Sequence, residues 1–143
     1  MLITLKNLQK KIPIRAAQIN KTVETAVRKL KKVVTGTTFL KKKSCLSRLS
    51  IVFVGSRRMR SLNKKYLGHD YVTDVITFDL QDGLGEIVIC PKVAASNAKQ
   101  HQTSTDKEII LYVIHGILHL AGYDDHSPKD IAQMRKMEAK LLQ

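Results

Sequence analysis

The sequence is poor in the residues that hold small secreted domains together. Its 143 residues include no tryptophan, three prolines and two cysteines, Cys45 and Cys90. Two cysteines so far apart provide neither a disulfide framework nor a thiolate metal site, so a cytoplasmic protein is expected. The sequence also lacks a run of about 18 apolar residues, so no membrane span is expected, and its N-terminus lacks the apolar block of a signal peptide. We expect a single domain over residues 1–143 with an aliphatic core.

Acidic residues are scarce in the first part of the chain. Residues 1–60 contain 16 Lys and Arg and one acidic residue, whereas residues 61–143 contain 9 basic and 11 acidic residues. The net charge of +13 therefore originates in the N-terminal part. This asymmetry predicts a face that binds a polyanion, and nucleic acid is favoured over an anionic membrane because no apolar anchor accompanies the basic runs. For a single run, such as Lys41–Lys43, a solvated surface is the alternative.

Apolar periodicity and turn residues predict the secondary structure of the first part of the chain. Short runs of β-branched and apolar residues predict strands over 2–5, 49–54, 72–80 and 85–90, the last two joined as a hairpin at Asp82-Gly83. An amphipathic pattern predicts a helix over 13–34 that ends at Gly36. A short basic helix is expected after Gly55, with Ser56 as its N-cap.

The last third of the chain is predicted to be helical. A helix begins at Pro91, and a second, apolar nearly all round, covers 109–121 behind a capping box at Thr105–Glu108 and ends at Gly122. A final helix runs from Ser127-Pro128 to Leu142. Strands and helices mixed without strict alternation favour an α+β fold, a small mixed sheet of about four strands covered by helices.

Three of the five histidines lie close together in this region. His115 and His119 are four residues apart on the apolar helix, so one helix face carries both, and a turn after Gly122 can bring His126 back toward them. Three imidazoles with one open position are typical of a catalytic zinc site with water as fourth ligand, although imidazole also suits nickel, copper and iron. Core histidines bonded to the backbone are the alternative, which the cost of burying unpaired imidazoles disfavours.

The histidine spacing is that of the H-E-x-x-H metalloprotease helix, but the residue after the first histidine is Gly116. The motif therefore places no carboxylate as general base, which makes proteolysis the weaker hypothesis. Asp124 and Asp125 flank His126 and are candidates for partners of the metal ligands or for the proton acceptor. Ordinary turn chemistry is an equally good explanation of the two aspartates.

Three segments resemble one known family. HGILHLAGYDDH, residues 115–126, resembles the H-G-x-L-H-L-x-G-Y-D-H signature of the YbeY endoribonucleases, which are rRNA maturation factors. LNKKY at 62–66, followed by TDVITF at 73–78, is similar to the family block L-N-x-x-Y-R … T-D-V-L-S-F. GEIVIC at 85–90 resembles the G-D-I-x-I-[SC] strand that follows. The match covers about residues 50–126 in order.

The resemblance implies an α+β fold and one Zn2+ per chain, held by His115, His119 and His126. It implies a single-strand-specific endoribonuclease that matures the 3′ end of small-subunit (16S) rRNA in ribosome assembly or quality control. The implied partners are single-stranded rRNA and ribosomal particles, with ribosomal proteins or an assembly GTPase as further candidates. The candidates for proton transfer are Tyr123, Asp124 and Asp74, and the sequence does not distinguish between them.

The sequence departs from the family pattern in two places. The pair Asp124-Asp125 adds a residue before His126, so Asp125 can compete as a metal ligand. In the family pattern an arginine follows the tyrosine, and in this sequence that position is occupied by Leu67. Basic residues nearby are the candidates for RNA binding: Arg57, Arg58, Arg60, Lys64 and Lys65. Two alternatives to the endoribonuclease stay open. One, favoured by Leu67, is a metal-binding ribosome-assembly factor with weak or no nuclease activity. The other is a different metal-dependent hydrolase, protease-like or acting on small molecules.

Overall fold

The computed structural model describes residues 1–34 and 46–143, so the predicted helix end at Gly36, the run Lys41–Lys43 and Cys45 lie outside the described residues. The strands are β1 (Leu2–Asn7), β2 (Arg48–Phe53), β3 (Val75–Asp79) and β4 (Leu84–Ile89). The helices are α1 (Ala16–Val34), α2 (Ser56–Leu67), α3 (Pro91–Gln100), α4 (Thr105–Leu120) and α5 (Pro128–Leu142). This content confirms the predicted α+β class.

The four strands form one mixed sheet in the order β1-β2-β4-β3. Strands β1, β2 and β4 are parallel, whereas β3 pairs antiparallel with β4 as the predicted hairpin. Its turn places Gln81, Asp82 and Gly83 at positive φ, as expected for a tight turn rich in Asp and Gly. Because three strands run in the same direction, the segments that follow β1, β2 and β4 leave the sheet at the same edge.

The larger core lies on one face of the sheet. Alternate residues of β2 and β4 on this face are fully buried against α1, α4 and α5: Leu49, Ile51, Phe53, Ile87 and Ile89. Helix α4 contacts α1, α3, α5 and the sheet, which explains why its sequence is apolar nearly all round. On the opposite face, Met59 of α2 packs against Ile76 and Val88 in a smaller core.

Two predicted N-caps are wrong. Helix α2 is capped by Gly55 without a side-chain hydrogen bond, because Ser56 is already helical. Ser104, and not Thr105, caps α4: its hydroxyl accepts the backbone N–H of Lys107 at 3.2 Å. With the helix starting one residue earlier than predicted, the third helical position is lysine, so the reciprocal bond of a capping box cannot form.

The N-cap predicted for the last helix is confirmed. The Ser127 hydroxyl accepts the N–H of Asp130 at 3.1 Å, and the Asp130 carboxylate accepts the N–H of Ser127 at 3.4 Å. Pro128 follows at the first helical position, where its missing N–H costs nothing. Among the described residues, no helix combines the length and apolarity needed to span a membrane.

Candidate metal centre and adjoining cleft

Helix α4 presents two histidines side by side at its C-terminal end. His115 and His119 stand one turn apart, with ring centroids 4.6 Å apart and rings nearly perpendicular. Their Nε2 atoms are 3.0 Å apart, and the two side chains are 24% and 26% exposed. The predicted pair is therefore neither buried in the core nor fully in solvent, and both imidazoles direct the same ring nitrogen to one point.

The turn after α4 brings a carboxylate to that point. The N–H groups of Gly122 and Tyr123 bond back to the carbonyls of His119 and Leu118, both at 3.0 Å, and Gly122 adopts a φ of 101° that favours glycine. The chain reverses there, and Asp125 Oδ2 lies 3.4 Å from Nε2 of both histidines.

The three donor atoms fit a divalent metal ion. Tetrahedral zinc with ligands at 2.0–2.1 Å separates neighbouring donor atoms by about 3.3 Å. The observed separations are 3.0 Å between the imidazole nitrogens and 3.4 Å from each nitrogen to the Asp125 oxygen. Two imidazoles and a carboxylate suit zinc as well as other first-row metals, so the three side chains form a candidate metal site.

Helix α5 orients the first histidine through Glu138. His115 Nδ1 lies 2.6 Å from Glu138 Oε1, so the N–H on this side of the ring donates to the carboxylate and leaves the lone pair of Nε2 free for a metal. The hydrogen bond to Glu138 raises the pKa of His115 above its ordinary value, against the opposing effect of burial. The negative charges of Glu138, Asp125 and Asp74 act in the same direction as the hydrogen bond.

His126 lies next to this cluster. Its side chain is 83% exposed, and its Nε2 is 3.4 Å from Oδ1 of Asp124, which is itself 60% exposed. Asp125 belongs to two clusters of possible metal ligands. Its carboxylate lies close to His115 and His119 in one cluster, and close to Asp124 and His126 in the other. In the structure, Asp125 occupies the third donor position, and His126 as third ligand stays a prediction.

The donor atoms open into a cleft of about 770 Å³ between β3, α4, α5 and the end of α2. Its lining includes five carboxylate side chains: Asp74, Asp79, Asp124, Asp125 and Glu138. Arg135 of α5 is the one Lys or Arg among the described residues that line the cleft, and Leu67 lines it from α2. Tyr123, a candidate for proton transfer, lines a different cavity. The cleft is therefore an acidic environment, suited to hold a cation.

Gly116 explains the absence of the metalloprotease glutamate. A Cβ atom at this position would stand 2.7 Å from Ile87 Cδ1 and 3.0 Å from Thr77 Oγ1, both on the sheet. Glycine thus permits close packing of α4 on β3 and β4. A glutamate here would collide with these two sheet side chains, so the H-E-x-x-H base does not fit at this position.

The five basic residues predicted to bind RNA do not form one cluster. Arg60 Nε donates to Asp70 Oδ1 at 2.8 Å, and Lys64 Nζ lies 3.8 Å from Asp70 Oδ2. The hydrogen bond from Arg60 lowers the pKa of the Asp70 carboxyl. Lys65 Nζ lies over the Tyr66 ring, 5.2 Å from its centroid.

The two remaining predicted residues, Arg57 and Arg58, lie at the other end of α2. They line a groove separate from the cleft, together with residues from the segments that follow β1 and β4. Helix α2 therefore connects the two openings: Arg57 and Arg58 are at its first turn, whereas Leu67 at its last residue lines the cleft.

Sequence reasoning missed Glu138 and Arg135. Glu138 is 23 residues from His115 in sequence, and no local spacing links the two. One signal was available: Glu138 is four residues after Met134 and one after Met137, both buried, so a carboxylate sits beside the apolar stripe of the last helix. An acidic residue at such a position is expected to have a partner.

The fold and the donor set together define a class: an α+β protein with a candidate histidine–carboxylate metal site at the end of a buried helix. The sequence matches the Endoribonuclease YbeY family over residues 4–143, and the chain belongs to that family.

Individual relatives agree with this membership. An Endoribonuclease YbeY of Thermodesulfovibrio yellowstonii is 36% identical over 152 aligned positions, covering 95% of this chain and 92% of the relative. One of Syntrophus aciditrophicus is 32% identical, covering 99% and 88%. A solution structure of a Thermotoga maritima protein superposes with a TM-score of 0.61 at 27% identity, covering 98% of this chain and 89% of that one.

Replacing either histidine of α4 tests the metal site. The parent protein is expected to hold one metal ion per chain, and His115→Ala and His119→Ala are each expected to lose it, because two of three ligands cannot retain the ion. Elemental analysis after desalting measures the occupancy. His101→Ala, which removes an exposed histidine just after α3, is the matched control and should keep the metal. Full retention by both α4 variants would refute the assignment.

The third ligand is resolved by comparing Asp125→Asn with His126→Gln. A catalytic zinc site has three protein ligands and one open position, whereas four ligands close it. We expect one of the two variants to lose zinc affinity strongly and the other to keep it. Isothermal titration of the metal-free proteins with zinc measures both affinities. A comparable loss in both variants would instead indicate a closed, structural site.

The Glu138→Gln substitution tests the contact that raises the pKa of His115. In metal-free protein the glutamine removes the negative charge, so His115 should release its proton at lower pH, which NMR titration of the ring detects. A raised pKa stabilises the fold below the ordinary histidine pKa of about 6.5, and that contribution is lost as the pH rises through the raised value. The parent protein should therefore exceed the variant in stability on the acid side only. Identical titration curves would contradict the contact.

Proposed function

We propose that this protein is a zinc-dependent endoribonuclease that cleaves single-stranded RNA and acts in the cytoplasm on the 3′ end of small-subunit rRNA. Membership of the YbeY family supports an RNA-hydrolysing role. The observation that carries the proposal is the convergence of three donor atoms, 3.0–3.4 Å apart, at the wall of an open cleft. A site of that kind can serve hydrolysis because ligands occupy one side of the ion and substrate can approach from the other.

The side chains of the cleft would have different roles in such a reaction. When bound, the zinc ion supplies Lewis-acid polarisation of a phosphate oxygen and lowers the pKa of water. His115 and His119 hold the ion with a third ligand from Asp125 or His126, and Glu138 keeps the His115 ring in the orientation that binding requires.

Three carboxylates of the cleft remain, Asp74, Asp79 and Asp124, and the two that the sequence named as candidates for proton transfer are Asp74 and Asp124. Both line the cleft. Asp74 Oδ1 accepts the backbone N–H of Val75 at 2.7 Å, which fixes the carboxylate at the start of β3 and leaves its other oxygen for substrate or water. Asp124 is largely exposed beside His126.

Arg135 is the cation that this cleft offers to a phosphate. A phosphodiester entering the cleft meets five carboxylates, so its negative charge must be balanced by the metal and by a basic side chain. Arg135 is exposed and lines the cleft one helical turn from Glu138. The position at which the resemblance would place an arginine, Leu67, lies on the same cleft and carries no charge.

Neutralising Arg135 should impair RNA cleavage. Loss of a charged hydrogen bond to phosphate is worth about 1.5–3 kcal/mol, so Arg135→Gln is expected to lower kcat/KM by about 10-fold or more. Lys136→Gln removes the same charge from the next residue, which does not line the cleft, and is the matched control. Leu67→Arg should restore part of the activity of Arg135→Gln, because it returns a cation to the cleft. Equal activity of the parent and Arg135→Gln would exclude this role.

Cleavage of a defined single-stranded RNA tests the proposed activity itself. Metal-loaded parent protein should cut the RNA, and His115→Ala, prepared identically, should not. Equal cleavage by both proteins would point to a contaminating nuclease. No cleavage by the metal-loaded parent, combined with co-sedimentation with ribosomal particles, would favour the alternative of a metal-binding assembly factor. Hydrolysis of peptides that long RNA fails to inhibit would favour a different hydrolase.

The proposal includes ribosomal partners. Apart from the histidines, the one aromatic side chain among the described residues that line the cleft is Tyr112, which is buried and offers no stacking platform. The cutting position would therefore be set by the ribosomal particle or by a bound partner. Ribosomal proteins and an assembly GTPase are the candidates for that partner. The excess of basic residues before residue 60 supports binding to an RNA-rich particle.

A further inference from the structure

A second opening, the basic groove, lies where the three parallel strands end. The segments after β1, β2 and β4 meet there around a cavity of about 800 Å³. Each segment contributes positive charge, and the five cations of the basic groove are Lys10, Lys11, Arg57, Arg58 and Lys92. Among the described residues lining it there is no Asp or Glu. Ligands of open α/β sheets commonly bind at this edge, beyond the carboxyl ends of the strands.

The charges of the basic groove are not neutralised within the described part of the chain. None of its five cations has an ion pair there, in contrast to Arg60 and Lys64, which share Asp70. Helix α2 adds to the positive potential, because it has no acidic residue in its first turn and its N-cap, Gly55, offers no side-chain acceptor. Like charges held together in this way are stabilised by a polyanion that spans them.

The position of the basic groove favours an RNA strand over an acidic protein as the polyanion. Helix α2 starts in the groove and ends at the cleft, and the nine residue steps from Arg58 to Leu67 correspond to about 14 Å. A strand bound in the cleft can therefore continue along α2 into the groove within a few nucleotides. The described lining includes no aromatic side chain, so the contacts would be to phosphates and not to stacked bases.

We propose that the basic groove binds the phosphodiester backbone of the same RNA strand that enters the cleft. This inference rests on the proposed function and assigns Lys10, Lys11 and Lys92 a role for which the sequence offered no motif. The acidic cleft receives the metal and one phosphate, whereas the groove supplies most of the affinity. Because the contacts are to phosphates, the affinity for RNA would be independent of RNA sequence and strongly dependent on salt concentration.

Salt-dependent RNA binding by metal-free protein tests the basic groove. Fluorescence anisotropy with a labelled single-stranded dodecanucleotide, repeated over a series of KCl concentrations, gives the slope of log K against log[salt]. The paired substitutions Lys10→Gln with Lys11→Gln, and Arg57→Gln with Arg58→Gln, should each reduce the slope by about 1.4, since each phosphate contact on a single strand contributes about 0.7.

The matched control removes two charges elsewhere. Lys31→Gln with Lys136→Gln lowers the net charge equally at exposed positions outside the groove and the cleft, and should leave the slope unchanged. An equal reduction in the control would show a general charge effect and overturn the proposal. An unchanged slope in both groove pairs, with unfolding curves that match the parent, would also overturn it and would leave an acidic protein as the better ligand.

The outcome is separable from that of the nuclease test. Binding is measured without metal and without cleavage, so a parent protein that fails to cut RNA can still show the expected slopes. Conversely, metal-dependent cleavage with unaltered slopes in the groove variants would support the nuclease and refute the groove.

Discussion

Helix α4 lies against the sheet at Gly116, where any side chain would meet Ile87 and Thr77, and the rest of the site depends on this contact. With the glycine face against the sheet, the neighbouring positions His115 and His119 are turned toward the cleft at partial exposure. The chain then reverses at Gly122 and returns Asp125 over the end of the helix. Helix α5 packs across α4 and brings Glu138 to the first histidine. One close helix–sheet contact thus orients the donors from three segments.

Charge is separated along α2. The cleft at the end of this helix is lined by five carboxylates and one arginine, while the basic groove at its start is lined by five cations and, among described residues, no acid. The first environment stabilises a metal cation and on its own repels a phosphate; the second attracts phosphates. A net charge of +13 by itself suggests only polyanion binding. Its distribution supports the proposal that one small protein holds both a metal cation and an anionic RNA strand.

Much of this arrangement could be predicted from local sequence. The spacing of His115 and His119 indicated a shared helix face, and the hairpin, the buried helix and the Ser127 cap followed from apolar pattern and turn chemistry. The family could be identified from residues 115–126, because this segment combines three histidines with glycines, a tyrosine and an aspartate at the spacing of the family signature.

The parts that could not be predicted depend on tertiary contacts or on single turns. Glu138 reaches His115 only because α5 packs on α4, and Arg60 is engaged by Asp70 through the bend after α2. Whether Asp125 or His126 faces the histidines depends on one residue of turn length, which sequence spacing does not resolve. The N-caps of α2 and α4 were wrong by one residue for a similar reason, because the start of a helix is fixed by backbone geometry that the sequence does not resolve to one position.

The central claim is that the histidine cleft holds the metal and that this metal is needed to cut RNA. Titrating zinc into metal-free protein, while following cleavage of a defined single-stranded RNA, tests both parts at once. We expect no cleavage before zinc is added and activity that rises linearly until one equivalent per chain is bound. Cleavage by metal-free protein that zinc does not change would contradict it, and so would full occupancy of the site without any cleavage.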